Sequence, residues 1–191
     1  MRAALLRAIL VALFYSIQLI HYLSSASISN EDRLFHRQVT LATIGWLFLS
    51  MSILLTLRAG AMHPLLKYIS TGIDLGLVTL LAWLGHGPNS PLVTALFLVL
   101  VMASLRFKIG LVWFATLGAI SCYMLLVGSV DSGWFDAKHE TPVLTQAITL
   151  CSFVSGGLVL GQVVRSARTM AHAYRDRSDP TTRLAAMEKK A

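Results

Sequence analysis

Lys and Arg residues in this chain are sorted by side. Long apolar runs occupy roughly 3 to 24, 38 to 58, 64 to 85, 91 to 106, 108 to 128 and 142 to 165, separated by charge or by Gly and Pro. Of the 16 Lys and Arg, only Arg33, Arg37 and Lys138 fall in the odd-numbered connections. The other 13, among them Arg2, Arg7, Arg58, Lys67, Arg106, Lys108, Arg165, Arg168 and Arg175, lie in the even connections, the tails or the ends of the runs that adjoin them. Cationic loops are retained on the cytoplasmic face, so the pattern predicts six transmembrane helices with both termini cytoplasmic. The fold class expected is therefore an all-α membrane protein.

Composition agrees. With 55% hydrophobic and 13% charged residues in 191 positions, the chain is far below the ~25% charge of soluble domains. A span needs about 20 apolar residues to cross about 30 Å of hydrocarbon. Six spans leave room only for short loops and a tail. The expected domains are a six-helix transmembrane domain over 1–165 and a cytoplasmic helical extension with a polar tail over 166–191. The first run lacks an Ala-x-Ala type cleavage site and reads as a retained helix. The net charge of +7 is topological, with some attraction to anionic lipid, and no nucleic-acid partner is expected. Cys122 and Cys151 fall inside spans, where thiols behave as small apolar groups.

The connections carry distinct signals. Ser29-Asn30-Glu31-Asp32 looks like a helix start before the second run. Pro64 suits the first turn of the third helix, where its missing N–H is not needed. Gly85-His86-Gly87-Pro88-Asn89-Ser90-Pro91 concentrates helix breakers and predicts a tight outer hairpin between spans three and four. Arg106-Phe107-Lys108 predicts a tight cytoplasmic turn, and those cations cannot sit in hydrocarbon unpaired. After span six, residues 165 to 179 continue as a helix until Pro180.

Asp74 is the one acidic residue inside a span, near the midplane, where an isolated ionised carboxylate is costly. It must be paired, hydrated or protonated, with Tyr15, Ser16, Ser50, Ser52 or Ser155 as neighbours expected from depth. It is a ligand or proton-binding candidate, with Tyr15 beside it, set against the alternative of a buried polar contact that fixes helix packing. His21, His36, His86 and His139 lie at or beyond the outer ends of their segments and are outer-face candidates for metal binding or pH sensing. Their spacing matches no zinc box, so no metal is expected. Gly157 and Gly161 form a small-xxx-small pair, read as helix packing within the chain and, second, as a route to a homodimer. No Walker loop, dinucleotide fingerprint, His-Glu-x-x-His or nucleophile elbow is present, which argues against an enzyme. The residues name no cofactor.

The stretch Asp74-Leu-Gly-Leu-Val-Thr-Leu-Leu-Ala-Trp-Leu-Gly-His-Gly-Pro-Asn-Ser-Pro-Leu92, followed by Ser104-Leu-Arg-Phe-Lys108, resembles the six-helix membrane input domain of pilus-regulator type sensor histidine kinases and of some bacterial class III adenylate cyclases. Such domains link spans three and four by a Gly-rich, Ser-Pro-containing outer turn, matched by Gly85, Gly87, Ser90 and Pro91. An Arg-containing inner turn precedes their span five, matched by Arg106. The resemblance extends over residues 1 to 175, its specific part being about 50 residues. It implies a sensor domain that feeds an output module. No phosphoacceptor His box, ATP-binding Asn box or cyclase metal-Asp pair follows here, and His172 lacks the acidic neighbour of a phosphoacceptor. Catalysis is therefore not carried over.

The expectation is a non-enzymatic bacterial inner-membrane module, sensor-like or interacting within the bilayer, that signals through its C-terminal helix to a separate partner protein. The alternative is an accessory or structural subunit of a larger respiratory or photosynthetic membrane complex. A small transporter would need broken helices in two related halves, and no internal repeat is evident.

Overall fold

A computed structural model describes residues 2–24, 30–58, 65–85, 87–130 and 142–178. All regular structure among them is helical: α1 (Arg2–Ser24), α2 (Asn30–Arg58), α3 (Leu65–Leu84), α4 (Ala95–Ser104), α5 (Ile109–Val130) and α6 (Val143–Ser178), with short 3-10 turns at Gly87–Asn89 and Pro91–Thr94. Three of these helices, over Leu65–Leu84, Ile109–Val130 and Val143–Arg175, are long and apolar enough to cross a membrane. This is a membrane protein.

One boundary follows its local signal and another differs from the sequence expectation. The second helix begins at Asn30, at the start signal read in Ser29-Asn30-Glu31-Asp32 and eight residues before the apolar run, because residues of these types suit a first turn whose free N–H groups and dipole favour acceptors and negative charge. The fourth helix is only Ala95–Ser104, extended by the Pro91–Thr94 turn. At about 1.5 Å per α residue and about 2 Å per 3-10 residue, the pair reaches about 23 Å, short of a full hydrocarbon core. Most of α4 is buried inside the protein.

The turn between α3 and α4 is built from its sequence. Gly87 takes a φ of +64°, a conformation that costs glycine nothing. Ser90 caps the following turn by accepting from the Leu92 N–H at 3.2 Å, with Pro91 at the first helical position. At the opposite end Phe107 takes a φ of +51° and donates its N–H to the Ser104 carbonyl at 2.9 Å. This left-handed residue turns the chain sharply from α4 into α5.

The core belongs to the last four helices. Leu75, Val78, Leu96, Leu100, Leu111, Ala115, Tyr123 and Phe153 are among its buried members, with Trp46 of α2 packed on its edge. Phe97 stacks on Phe153 with centroids 4.4 Å apart, and Tyr68 meets Phe114 edge-on at 5.5 Å. A Cβ at Gly157 would overlap the Thr116 side chain, so α6 approaches α5 closely at that glycine. Gly161 one turn further on has no neighbour within 4 Å of its Cβ position. The small-residue pair therefore serves packing inside the chain at Gly157. The first two helices form a separate hairpin, tied by Tyr15 Oη and Thr40 Oγ1 at 3.2 Å and by the stacked rings of Tyr22 and His36 at 4.0 Å.

Candidate functional site

Asp74 sits midway along α3 and is 5% exposed. Its neighbours on the same face are Ser70 and Thr71, both buried, because residues three and four apart share a helix face. An indole is one of its partners: Trp46 Nε1 of α2 donates to Asp74 Oδ1 at 2.9 Å. That bond joins the α1–α2 hairpin to the four-helix body. Ser50, one turn along α2, is buried and donates to the Trp46 carbonyl at 2.7 Å.

One turn below Asp74, Arg106 reaches across from the α4–α5 turn. Its Nη1 donates to the Lys67 carbonyl at 2.6 Å and to Thr71 Oγ1 at 3.3 Å, while Nη2 donates to Ser70 Oγ at 3.1 Å. The fixed fork of a guanidinium serves several acceptors at once in a way an ammonium does not. The cation required to have partners by its place beside hydrocarbon thus finds them on α3. Trp46, Asp74, Ser70, Thr71 and Arg106 form a polar line from α2, along one face of α3, to the α4–α5 turn.

Above this line lies a cavity of about 650 Å³ between the hairpin and the body. Its walls come from α1 (Phe14, Tyr15, Gln18), α2 (Val39, Thr43, Trp46), α3 (Asp74, Val78) and the stretch from Ser90 through α4 to Met102. It extends from the Gly85–Pro91 end of the bundle along α4 as far as Met102, with Asp74 in its wall. Its volume falls within the ~300–1,000 Å³ of pockets that enclose a single small ligand.

The sequence candidates are only partly brought together. Tyr15 shares the cavity with Asp74, as expected, but its hydroxyl pairs with Thr40. Of the other expected neighbours, Ser16 and Ser52 are exposed and bond back to carbonyls of their own helices, and Ser155 is exposed on α6. Depth alone placed these serines, and helix rotation turns them away. His86 and His139 lie outside the described residues, as do the acids of 131–141, and so does the side chain of His21. His36 is half-buried between Tyr22 and Tyr15, and its Nδ1 is buried without a hydrogen-bond partner. Among the described residues no three His, Cys, Asp or Glu side chains gather as a metal site. Cys122 is half-buried, Cys151 is exposed, and both are free thiols.

Sequence reasoning missed Trp46 and the Arg106 contacts. A signal existed for the first: an indole N–H in the middle of an apolar run needs an acceptor at its own depth, and Asp74 is the acid nearest that depth. No family model matches this chain, and no curated protein or solved structure matches it.

Proposed function

We propose that this protein is a six-span, non-enzymatic module of a bacterial inner membrane, with both termini cytoplasmic, that senses a ligand in the bilayer and signals to a separate partner. The reading rests on one observation: Trp46 and Asp74, whose hydrogen bond links the hairpin to the body, both line the cavity between those two units. An occupant touching Asp74 changes the stability of that link. A ligand shifts a two-state arrangement only when it prefers one state, and a contact at the joint supplies that preference. The line through Ser70 and Thr71 to Arg106 carries the change to the cytoplasmic turn.

Output then passes to the part of α6 beyond Arg165, which is exposed through Arg175 apart from the half-buried Ala167. The six spans are α1, α2, α3, α4 with its 3-10 turn, α5 and α6. The sidedness of the basic residues sets the orientation. The resemblance to input domains of sensor kinases and cyclases points the same way.

Two experiments test the proposal. Asp74→Asn keeps the shape of the site and removes its charge. It should alter the response of the partner while membrane abundance stays as in wild type, whereas loss of the protein would make Asp74 a packing contact. Gentle extraction of a tagged, natively expressed copy, followed by mass spectrometry, should recover a kinase, cyclase or regulator in stoichiometric amount. Recovery of electron-transfer or pigment-binding subunits instead would make the chain an accessory component of such a complex.

A further inference from the structure

Two lysines at one end of the bundle stand together without a counter-charge. Arg106 Nη1 donates to the Lys67 carbonyl at 2.6 Å, and the Tyr68 hydroxyl lies 3.1 Å from the position a Cβ would take at Gly110. These two contacts bracket Lys108 and hold the start of α3 against the α4–α5 turn, so Lys67 and Lys108 leave adjoining stretches of main chain. Both are exposed. From residue 33 to residue 130 the sequence has one acid, Asp74, which lies two turns further along α3 and accepts from Trp46. Among the described residues neither ammonium group has an ion pair or a hydrogen bond, whereas the Arg106 guanidinium is engaged with α3.

The same end of the bundle meets the membrane surface. Helices α3 and α5 start there, at Leu65 and Ile109, and both are long and apolar enough to cross a bilayer, which puts the two lysines at head-group depth. Phe107, between Arg106 and Lys108, has a φ of +51° and an exposed ring. A left-handed backbone disfavours a residue with a Cβ, and no burial of the ring inside the protein compensates for it. Phe114 of α5 reaches Tyr68 and Gly72 of α3 and is likewise exposed. Cations beside exposed aromatic rings match a molecule with an anionic head and hydrocarbon chains. General attraction of a basic surface to anionic lipid is spread over many positions, whereas the bracketed lysines concentrate it at one. We propose that the start of α3 and the α4–α5 turn bind one anionic phospholipid, its phosphate held by Lys67 and Lys108 and its chains beside Phe107 and Phe114. The site is separate from the cavity, goes beyond the module reading and needs only that α3 and α5 span the bilayer.

The test is native mass spectrometry of the delipidated full chain in detergent, titrated with dioleoylphosphatidylglycerol or with dioleoylphosphatidylcholine, a zwitterion with the same chains. The anionic lipid should bind saturably, one per protein, and about tenfold or more tighter than the zwitterion. A cation close to anionic lipid contributes about fivefold in affinity, so Lys67→Gln and Lys108→Gln should each lose about that factor for phosphatidylglycerol. Both should keep the weaker phosphatidylcholine binding, which also reports that they are folded. Arg175→Gln removes the same charge ten residues beyond Arg165 on α6 and should leave both affinities as in wild type. Equal affinity for the two lipids overturns the inference, and so do lysine variants that bind phosphatidylglycerol as wild type does. A loss for Arg175→Gln as large as for Lys108→Gln also overturns it, since the attraction would then belong to the whole basic surface. Inorganic phosphate should not displace the lipid; displacement would make this a site for free phosphate and overturn the lipid assignment.

Discussion

The α1–α2 hairpin and the α3–α6 body both expose apolar side chains, but among the described residues only the body also buries a large apolar cluster. In the body, leucines such as Leu96, Leu100 and Leu111 are fully buried against one another. In the hairpin, Ile9, Leu13, Ile17, Ile20, Phe48 and Leu55 are more than half exposed, and Val11 and Val39 are the buried apolar residues among those described. In water such a hairpin would be an aggregation hazard. In a bilayer, lipid tails are as apolar as leucine, so exposed apolar surface carries no penalty and association depends on packing and hydrogen bonds. The body is held by close packing. The hairpin is joined to it by the Trp46–Asp74 hydrogen bond, whose two side chains line the cavity. A unit attached in this way has a low cost of local opening, the property a ligand-responsive element needs.

The contrast is sharpened first by truncating equivalent leucine-sized groups. Leu100→Ala leaves a void in the buried cluster and should lower stability in detergent by about 3 kcal/mol. Ile20→Ala, at 66% exposure, should change it by less than about 0.5 kcal/mol. Thermal unfolding of the two variants side by side measures the difference, and equal losses would remove the distinction. Next in size is Arg106→Lys. An ammonium cannot reproduce the fork to Lys67, Ser70 and Thr71, so about 1 kcal/mol of stability should go. The same variant should uncouple the partner's response from Asp74→Asn if the polar line conducts it. The smallest effect is expected at Phe107, whose positive φ costs a non-glycine residue about 1–2 kcal/mol. Glycine relieves that cost but loses about 0.5–1 kcal/mol in backbone entropy. Phe107→Gly should therefore stabilise the body by about 0.5 kcal/mol, seen as a slightly higher Tm, with the hairpin unaffected.

How far the sequence discloses this molecule depends on which force acts. Helix existence follows from the apolar runs, and the breaks follow from residues with local chemistry: Gly87 for its positive φ, Ser90 for its cap, Phe107 in the turn announced by Arg106 and Lys108. The start of α2 was legible in Asn30-Glu31-Asp32, although hydropathy alone placed it eight residues later. Asp74 stood out because one acid in a span has no innocuous explanation. Its partner was harder to find. Depth constrains which residues lie level with Asp74, but the rotation of each helix decides which of them face it, and that is set by packing across four helices. Ser16, Ser52 and Trp46 all satisfied depth, and only Trp46 faces the acid. The Gly157 contact was legible as a possibility, since small residues permit close approach, while its partner Thr116 depends on the register of α5 against α6. A cavity is the least legible feature of all, being the space left after every packing choice is made.

A hairpin hinged on the body at Trp46–Asp74 must change its separation from the body when that bond is removed. Double electron–electron resonance reads the separation in nanodiscs, with Cys122 and Cys151 replaced by Ser. One pair of spin labels at Ile20 and Leu125 spans hairpin and body, and a second pair at Leu125 and Val163 lies within the body; all three positions are exposed. Introducing Trp46→Phe should broaden or shift the first distance distribution and leave the second unchanged. If both distributions stay as in wild type, the indole–carboxylate bond does not hold the hairpin in place and the hinge is ruled out.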